Sequence, residues 1–390
     1  MEYKVSNVLK KIIFAFVIIA AIMLLLMSQA NLHEIWEVIK TSNYKYLLIA
    51  FGVLAAYFVL NLVGMYILTK YKKIKLKTRD IVLIGGTEPF FNGITPFATG
   101  GQPFQAYAMF RKGVALKDST SILVMNFITF MISTNIFAII SLIYYGRYTS
   151  QISNLAWIVI MGFTINFLVL VLMFSLALSK RLRGMCSRAI EWLASKKMFH
   201  KLLAGRVETF NNYFDGMQAG CKELLSKPLV FTGCILSKLA SLVFFYAIPF
   251  YVLKAINAPI TYSDFIYVIL GTSFATTMVV WVPTPGGTGG MELAFHSIFL
   301  TIAGMTPALA TGGMVLWRLY TYYLLMIVGF VFYILLEVFD NKERKKAKLL
   351  AVDAPNNEEI IKEEAIEATP TINNDDSKQE EIKPNEEERE

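Results

Sequence analysis

Thr95-Pro96-Phe97-Ala98-Thr99-Gly100-Gly101-Gln102-Pro103 and Pro283-Thr284-Pro285-Gly286-Gly287-Thr288-Gly289-Gly290-Met291-Glu292 interrupt a chain that otherwise reads as lipid-embedded helix. Proline cannot donate a backbone hydrogen bond and glycine weakens helices, so neither stretch continues a span. In hydrocarbon, irregular backbone survives only where protein buries it or water reaches it. The two stretches therefore decide the fold class, an all-α integral membrane bundle with broken segments, and they are the first candidates for a site.

Composition agrees. The 390 residues are 55% hydrophobic, 14% aromatic and only 17% charged, with mean hydropathy +0.52, which excludes an ordinary soluble domain. The net charge is +8, but residues 351–390 hold fourteen Asp/Glu against four Lys/Arg, which leaves +18 on the rest. Basic edges fit contact with anionic headgroups and equally the positive-inside rule. Cys186, Cys221 and Cys234 have no metal-like spacing and read as reduced thiols, so neither metal nor cofactor is implied. The first apolar segment follows Lys4, Lys10 and Lys11 but lacks an A-x-A-like site, and it reads as a retained helix.

Apolar stretches of spanning length lie near residues 11–28, 46–68, 120–145, 155–178, 229–253, 264–282 and 309–338. The basic residues Lys70 to Arg79, Arg111 to Lys117, Lys180 to Arg188 and Lys342 to Lys348 put their loops in the cytoplasm. Parity then makes residues 81–110 a re-entrant hairpin, since they begin and end on one side. It also makes residues 289–304 a short half-helix that crosses. The expectation is about eight transmembrane helices, a re-entrant hairpin and a broken half-helix, with both termini cytoplasmic. Residues 1–345 form the membrane domain, in which 186–227 suit amphipathic interfacial helices, and 346–390 form an acidic, disordered tail. A loose internal repeat is visible. Each motif follows two apolar segments, carries Thr-Pro and Gly-Gly, and leads into a helix that breaks near Gly113 or Gly304.

Ionisable residues inside spans are costly and mark function or pairing. Here they are Glu88, Lys238, Glu292, His296 and Arg318. Arg318 lies about ten residues into the last span, roughly 15 Å deep, and cannot lose its charge, so it needs an anionic partner. Glu292, at the start of the preceding short helix, is the internal candidate. The two form either a structural ion pair or a site in which Arg318 receives an anionic headgroup, and a resting pair that opens satisfies both. The run Gly286 to Gly290 offers backbone N–H groups to an anion, yet it is neither a Walker loop nor a dinucleotide fingerprint.

Around the first motif, Glu88, Asn92, Thr95, Thr99, Gln102 and Gln105 form a polar set flanked by Phe90, Phe91, Phe97, Phe104 and Tyr107. They hold headgroup hydroxyls or satisfy broken backbone. Asn126, Asn135 and Asn166 are expected to bond between helices. No nucleophile elbow, HExxH or metal cluster is present, and no soluble segment is long enough for a catalytic domain, so the reading leans away from an enzyme.

The run Asn92-Gly93-Ile94-Thr95-Pro96-Phe97 with Gly100-Gly101-Gln102-Pro103, Gln105-Ala106-Tyr107 and Gly113 resembles the first signature of the lysylphosphatidylglycerol synthase transmembrane region family. Pro283 to Glu292, with Arg318-Leu319-Tyr320-Thr321-Tyr322-Tyr323, resembles its second. The similarity covers roughly residues 10–340. It implies a flippase-like module that binds or translocates an anionic phospholipid or lipid-linked headgroup, lysylphosphatidylglycerol among them, in a stand-alone member without the cytoplasmic synthase domain. The substrate-binding set it points to is Glu88, Asn92, Thr95, Pro96, Gly100, Gly101, Gln102, Gln105, Tyr107, Pro285, Gly286, Gly287, Gly289, Glu292, Arg318 and Tyr322. The implied partners are a membrane phospholipid or lipid-linked glycan, with a soluble aminoacyltransferase or envelope enzyme as a further partner and no direct nucleic acid. Two other readings stay open: a phosphatidylglycerol lysyltransferase acting with a soluble partner, and an envelope scaffold.

Overall fold

The computed structural model describes residues 36–37, 40–95, 97–145, 156–195, 207–279, 281–282, 284, 287, 289–302 and 304–352. The expected span at 11–28, the tail beyond 352, and Pro96, Pro285 and Gly286 lie outside them. The described residues fall into two units that part between Glu337 and Val338, and apart from the end of the last helix everything below concerns the first.

All regular structure among the described residues is helical. Long apolar sequences make the bundle: α1 (Tyr44–Tyr71), α5 (Leu116–Tyr145), α6 (Ala156–Leu178), α9 (Pro228–Ala255), and a last span made of α12 (Pro307–Arg318), a π-helical turn (Leu319–Leu324) and α13 (Leu325–Val352). These account for five helices long and apolar enough to cross a membrane. The chain is an all-α membrane protein. Local chemistry starts the helices where they start. Asn43 Oδ1 accepts from Lys45 N at α1, and Thr306 Oγ1 accepts from Leu309 N ahead of Pro307 at the first position of α12, where a missing N–H costs nothing. Between α6 and α9 lie α7 (Lys180–Ser195) and α8 (Val207–Leu225), tied to each other by the Arg183–Asp215 ion pair.

Short helices form two hairpins. The first comprises α2 (Thr78–Gly86), α3 (Glu88–Gly93) and α4 (Gly101–Arg111). Its two ends meet: the buried Asp80 carboxylate accepts from Arg79 at 3.2 Å and faces Lys112 Nζ at 3.4 Å. The flanking spans meet there too, through Lys72 Nζ, which lies 3.3 Å from Asp118 and 3.6 Å from Glu223 of α8. The excursion therefore leaves and returns at one end of the bundle, as parity requires.

The second hairpin comprises α10 (Phe265–Val279) and α11 (Gly290–Phe299). At about 22 Å and about 15 Å, both fall short of the hydrocarbon thickness. They run antiparallel, since Gly271 faces Ile298 and Gly290 faces Val279, while Tyr267 and Thr301 share a 2.6 Å hydrogen bond at the open end. That open end is opposite to the first hairpin's, near the contact of Asn43 N with Ala255 O. The expected span at 264–282 and the crossing at 289–304 are thus two arms of one hairpin. The two broken motifs sit at the inner tips of two hairpins that enter from opposite ends, which gives the internal echo a structural form.

Close backbone approach seats the hairpins. A Cβ on Gly329 of α13 would fall 2.6 Å from the Phe90 backbone nitrogen, so glycine there lets the last span lie against α3. Phe90, Phe91, Phe104, Phe330 and Tyr333 then interleave, with Phe91 and Phe104 stacked at 3.8 Å. Across the bundle Cys234, Ser237 and Lys238 of α9 donate to the carbonyls of Gly64, Leu60 and Asn61 of α1. Between neutral groups, as at Cys234 and Ser237, such bonds contribute about 0.6 kcal/mol each in a membrane, so packing contributes more to the pair of helices.

Two outcomes are expected. Gly329→Ala should lower the thermal midpoint in detergent by the equivalent of about 1–3 kcal/mol, whereas Gly52→Ala, which meets nothing within 4 Å, should leave it unchanged; equal shifts would contradict the packing. Burial pushes the Cys221 thiol up to about 12, so its reactive thiolate appears only as pH approaches that value. Maleimide at neutral pH should modify the half-buried Cys186 and spare Cys221 and Cys234 until the protein is denatured.

Candidate functional site

The second motif uses its glycines for backbone angle. Gly287 and Gly289 have φ of +67° and +89°, values that side chains disfavour. The turn closes with Gly287 N donating to Thr284 O and Met291 N to Gly287 O. Glu292, in the first turn of α11, reaches back so that Oε2 accepts from Gly289 N at 2.6 Å. One N–H of the glycine run is therefore committed to the chain's own carboxylate rather than left for an anion.

The other oxygen, Glu292 Oε1, accepts from Arg318 Nε at 2.7 Å. Arg318 ends α12 and is 5% exposed. Breaking such a pair by removing one partner costs about 3–5 kcal/mol, because it leaves a buried charge uncompensated. Stacking holds α11 against the last span: Phe295 of α11 lies on Trp317 of α12 with centroids 3.7 Å apart.

The π-helical turn starts at the residue after Arg318. π turns insert an extra residue per turn and recur at functional sites. Here the turn lets Tyr320 donate to Leu47 O and Tyr322 donate to Gly93 O at 2.9 Å, while the Tyr322 ring also lies 4.7 Å from the Arg318 guanidinium. Through Tyr322 the ion pair of the second motif is linked to the tip of the first.

The first motif uses its glycines differently. Gly100 and Gly101 have ordinary angles, but a Cβ on Gly100 would meet Phe91 O at 2.6 Å, and one on Gly101 would meet Asn92 Oδ1 at 2.7 Å and Glu88 Cγ at 2.8 Å. The strained residues are instead Phe97 and Ala98, at φ of 57° and 51°, outside the usual range for side chains. Thr95 Oγ1 accepts from Gly100 N at 2.9 Å and Asn92 Oδ1 from Gly101 N at 2.8 Å, so both side chains satisfy the start of α4. Gln102 Nε2 reaches Glu88 Oε1 at 3.4 Å, a weak bond by its length. Gln105 is buried and turns its amide nitrogen toward the carbonyls of Ile84 and Gly85. Tyr107 stands apart, 53% exposed beneath the Arg111 guanidinium, which pairs with Glu337.

A cluster that sequence reasoning did not assemble lies beside Glu88. Lys238 of α9 is 1% exposed, and its Nζ donates to both Asn61 O and Asn61 Oδ1 at 2.7 Å. Glu88 is within electrostatic range of it. Lys238 stood out as an ionisable residue in a span, but nothing in the sequence joins it to Asn61, 177 positions away. The expected interhelical asparagine bonds are also corrected. Asn135 donates to Met131 O of its own helix, and Asn126 Oδ1 and Asn166 Nδ2 are buried without a hydrogen bond. Among the described residues no group of three or more His, Cys, Asp or Glu could hold a metal.

Comparison with known proteins gives the family. The family model described as "Lysylphosphatidylglycerol synthase TM region" matches residues 12–329, which takes in both hairpins and the last span as far as Gly329. A protein of Archaeoglobus fulgidus named "UPF0104 membrane protein" is 24% identical over 307 residues, which cover 75% of this chain and 87% of that protein. With the matched region reaching over both broken motifs and the Arg318 pair, the chain belongs to the lysylphosphatidylglycerol synthase transmembrane region family.

Proposed function

We propose that the protein binds an anionic phospholipid or lipid-linked headgroup, lysylphosphatidylglycerol among the candidates, and moves it between leaflets, with the acyl chains remaining in lipid. The observation that carries this reading is the Arg318–Glu292 pair, held at the inner tip of a hairpin and linked through Tyr322 to the tip of the other. A charge that cannot be neutralised, placed well inside a span beside non-helical backbone, is the arrangement by which membrane proteins receive anionic groups. Arg318 would exchange Glu292 for a phosphate oxygen, and its planar fork suits that exchange.

Glu88, Gln102 and Gln105 would supply polar contacts on the first hairpin, with Asn92, Thr95, Gly100 and Gly101 shaping the tip. Gly287 and Gly289, together with Pro96, Pro285 and Gly286 in the same motifs, would shape the path. The end that gathers Lys72, Arg79, Arg111 and Lys112 would face the cytoplasm of the cell membrane, with both termini on that side.

The test is a leaflet-accessibility assay in proteoliposomes with fluorescent phosphatidylglycerol and its lysyl derivative. Arg318→Ala and Glu292→Ala should each slow movement at least about tenfold, equivalent to about 1.4 kcal/mol on the barrier. The double variant Arg318→Met/Glu292→Leu removes both charges and so should regain thermal stability relative to either single change, yet still fail to move lipid. Wild-type movement by the double variant would exclude Arg318 from the path.

A further inference from the structure

The two carboxylates differ in what they face. Arg318 keeps its proton under all conditions, so the Glu292 pair is a fixed charge site. Lysine loses its proton readily when buried, and the surroundings of Lys238 accommodate either form. A neutral amine has two hydrogens, and Nζ has two committed acceptors, Asn61 O and Asn61 Oδ1. An ammonium has a third hydrogen. Across Gly64, whose added Cβ would lie 3.1 Å from Lys238 Cε and 3.0 Å from Asn126 Oδ1, that asparagine oxygen is buried with no donor.

Glu88 shows the same latitude. It is partly buried at the start of α3. Next to it Gln105 is 1% exposed, with its amide nitrogen directed at backbone carbonyls and its Oε1 buried with no donor. A carboxylic acid at Glu88 would bring a hydroxyl donor to a neighbourhood that holds a spare acceptor. The other titratable groups acting on the pair are Tyr57 on α1, which faces Glu88, and Cys234 on α9, which faces Lys238.

We propose that Glu88 and Lys238 form a proton-exchange site, separate from the Arg318 site, that couples headgroup movement to a pH gradient. One proton is taken from water onto the Glu88 carboxylate or the Lys238 amine and given back to water on the other side, with no other bond made or broken. This inference rests on the transport reading, and the two fail in distinguishable ways.

The experiment has two arms on the full chain in bilayers. In the first, solid-state NMR of 15Nζ-labelled lysine follows pH from about 6 to about 9, the range into which burial moves lysine and glutamate. A lysine resonance that converts from ammonium to amine in that range, disappears in Lys238→Arg and moves in Glu88→Gln is the expected result. No titrating lysine in that range, or one indifferent to Glu88→Gln, overturns the site. In the second arm, fluorescent phosphatidylglycerol is followed in proteoliposomes with and without an imposed gradient. One proton per lipid shifts the steady-state leaflet ratio by up to about tenfold per pH unit, and the shift should vanish in Lys238→Arg. Lipid that moves without regard to the gradient overturns the coupling and leaves the transport reading intact. If no lipid moves at all, the transport reading and the coupling both fall, whatever the first arm shows about the lysine.

Discussion

One carboxylate does two jobs that hydrocarbon makes compulsory. Glu292 satisfies a backbone N–H at the start of α11 with one oxygen and neutralises Arg318 with the other. Without the first contact the break in the chain would lose the partner of its Gly289 N–H, and without the second the buried Arg318 would lose the carboxylate that balances its charge. The break and the charge are thus each tolerated because of the other. That mutual dependence sets the order of the surrounding parts: glycines with positive φ to form the turn, the Phe295–Trp317 stack to fix α11 against α12, and a π turn to carry Tyr322 across to Gly93.

The first hairpin solves the same problem with neutral groups. Asn92 and Thr95 cap the start of α4, so Glu88 is not needed for backbone satisfaction and stands free to face Gln102 and Lys238. Two hairpins entering from opposite ends therefore bring two chemically unlike carboxylates into one bundle. Glu292 is fully occupied and its cation is permanent. Glu88 is held by neutral amides, Gln102 among them, and the cation near it is a lysine. The contrast follows from arginine and lysine chemistry together with the partners each finds.

Much of this was legible in the sequence. Apolar lengths gave the long spans, basic loops gave the return of residues 81–110 to its starting side, and the two Gly-Pro motifs gave the broken segments. Arg318 and Glu292 could be paired in advance because one needs an anion and the other begins the adjacent helix. The second hairpin was harder to read, because a 15-residue apolar helix looks like most of a span until its partner is seen lying antiparallel to it. Lys238 with Asn61, and Tyr322 with Gly93, join positions 177 and 229 apart, and no local pattern carries such contacts. The π turn left no trace either, since Leu319 to Leu324 has the composition of any aromatic helix. Asn92 and Thr95 illustrate the reverse error: polar residues at depth invite a ligand reading, and their first use here is to close the backbone.

The central claim is that a lipid headgroup enters the polar interior between the hairpin tips. The most direct measurement is photo-crosslinking in bilayers with phosphatidylglycerol that carries a diazirine on its headgroup, followed by mass-spectrometric mapping of the adducts. The account requires adducts on the segments around Glu88 to Gln105, Gly287 to Glu292 and Arg318 to Tyr322, with loss of the last in the presence of excess unlabelled lipid. Adducts confined to outward-facing residues such as Leu48, Ile139 and Leu168 would contradict it, because the headgroup would then meet only the outside of the bundle.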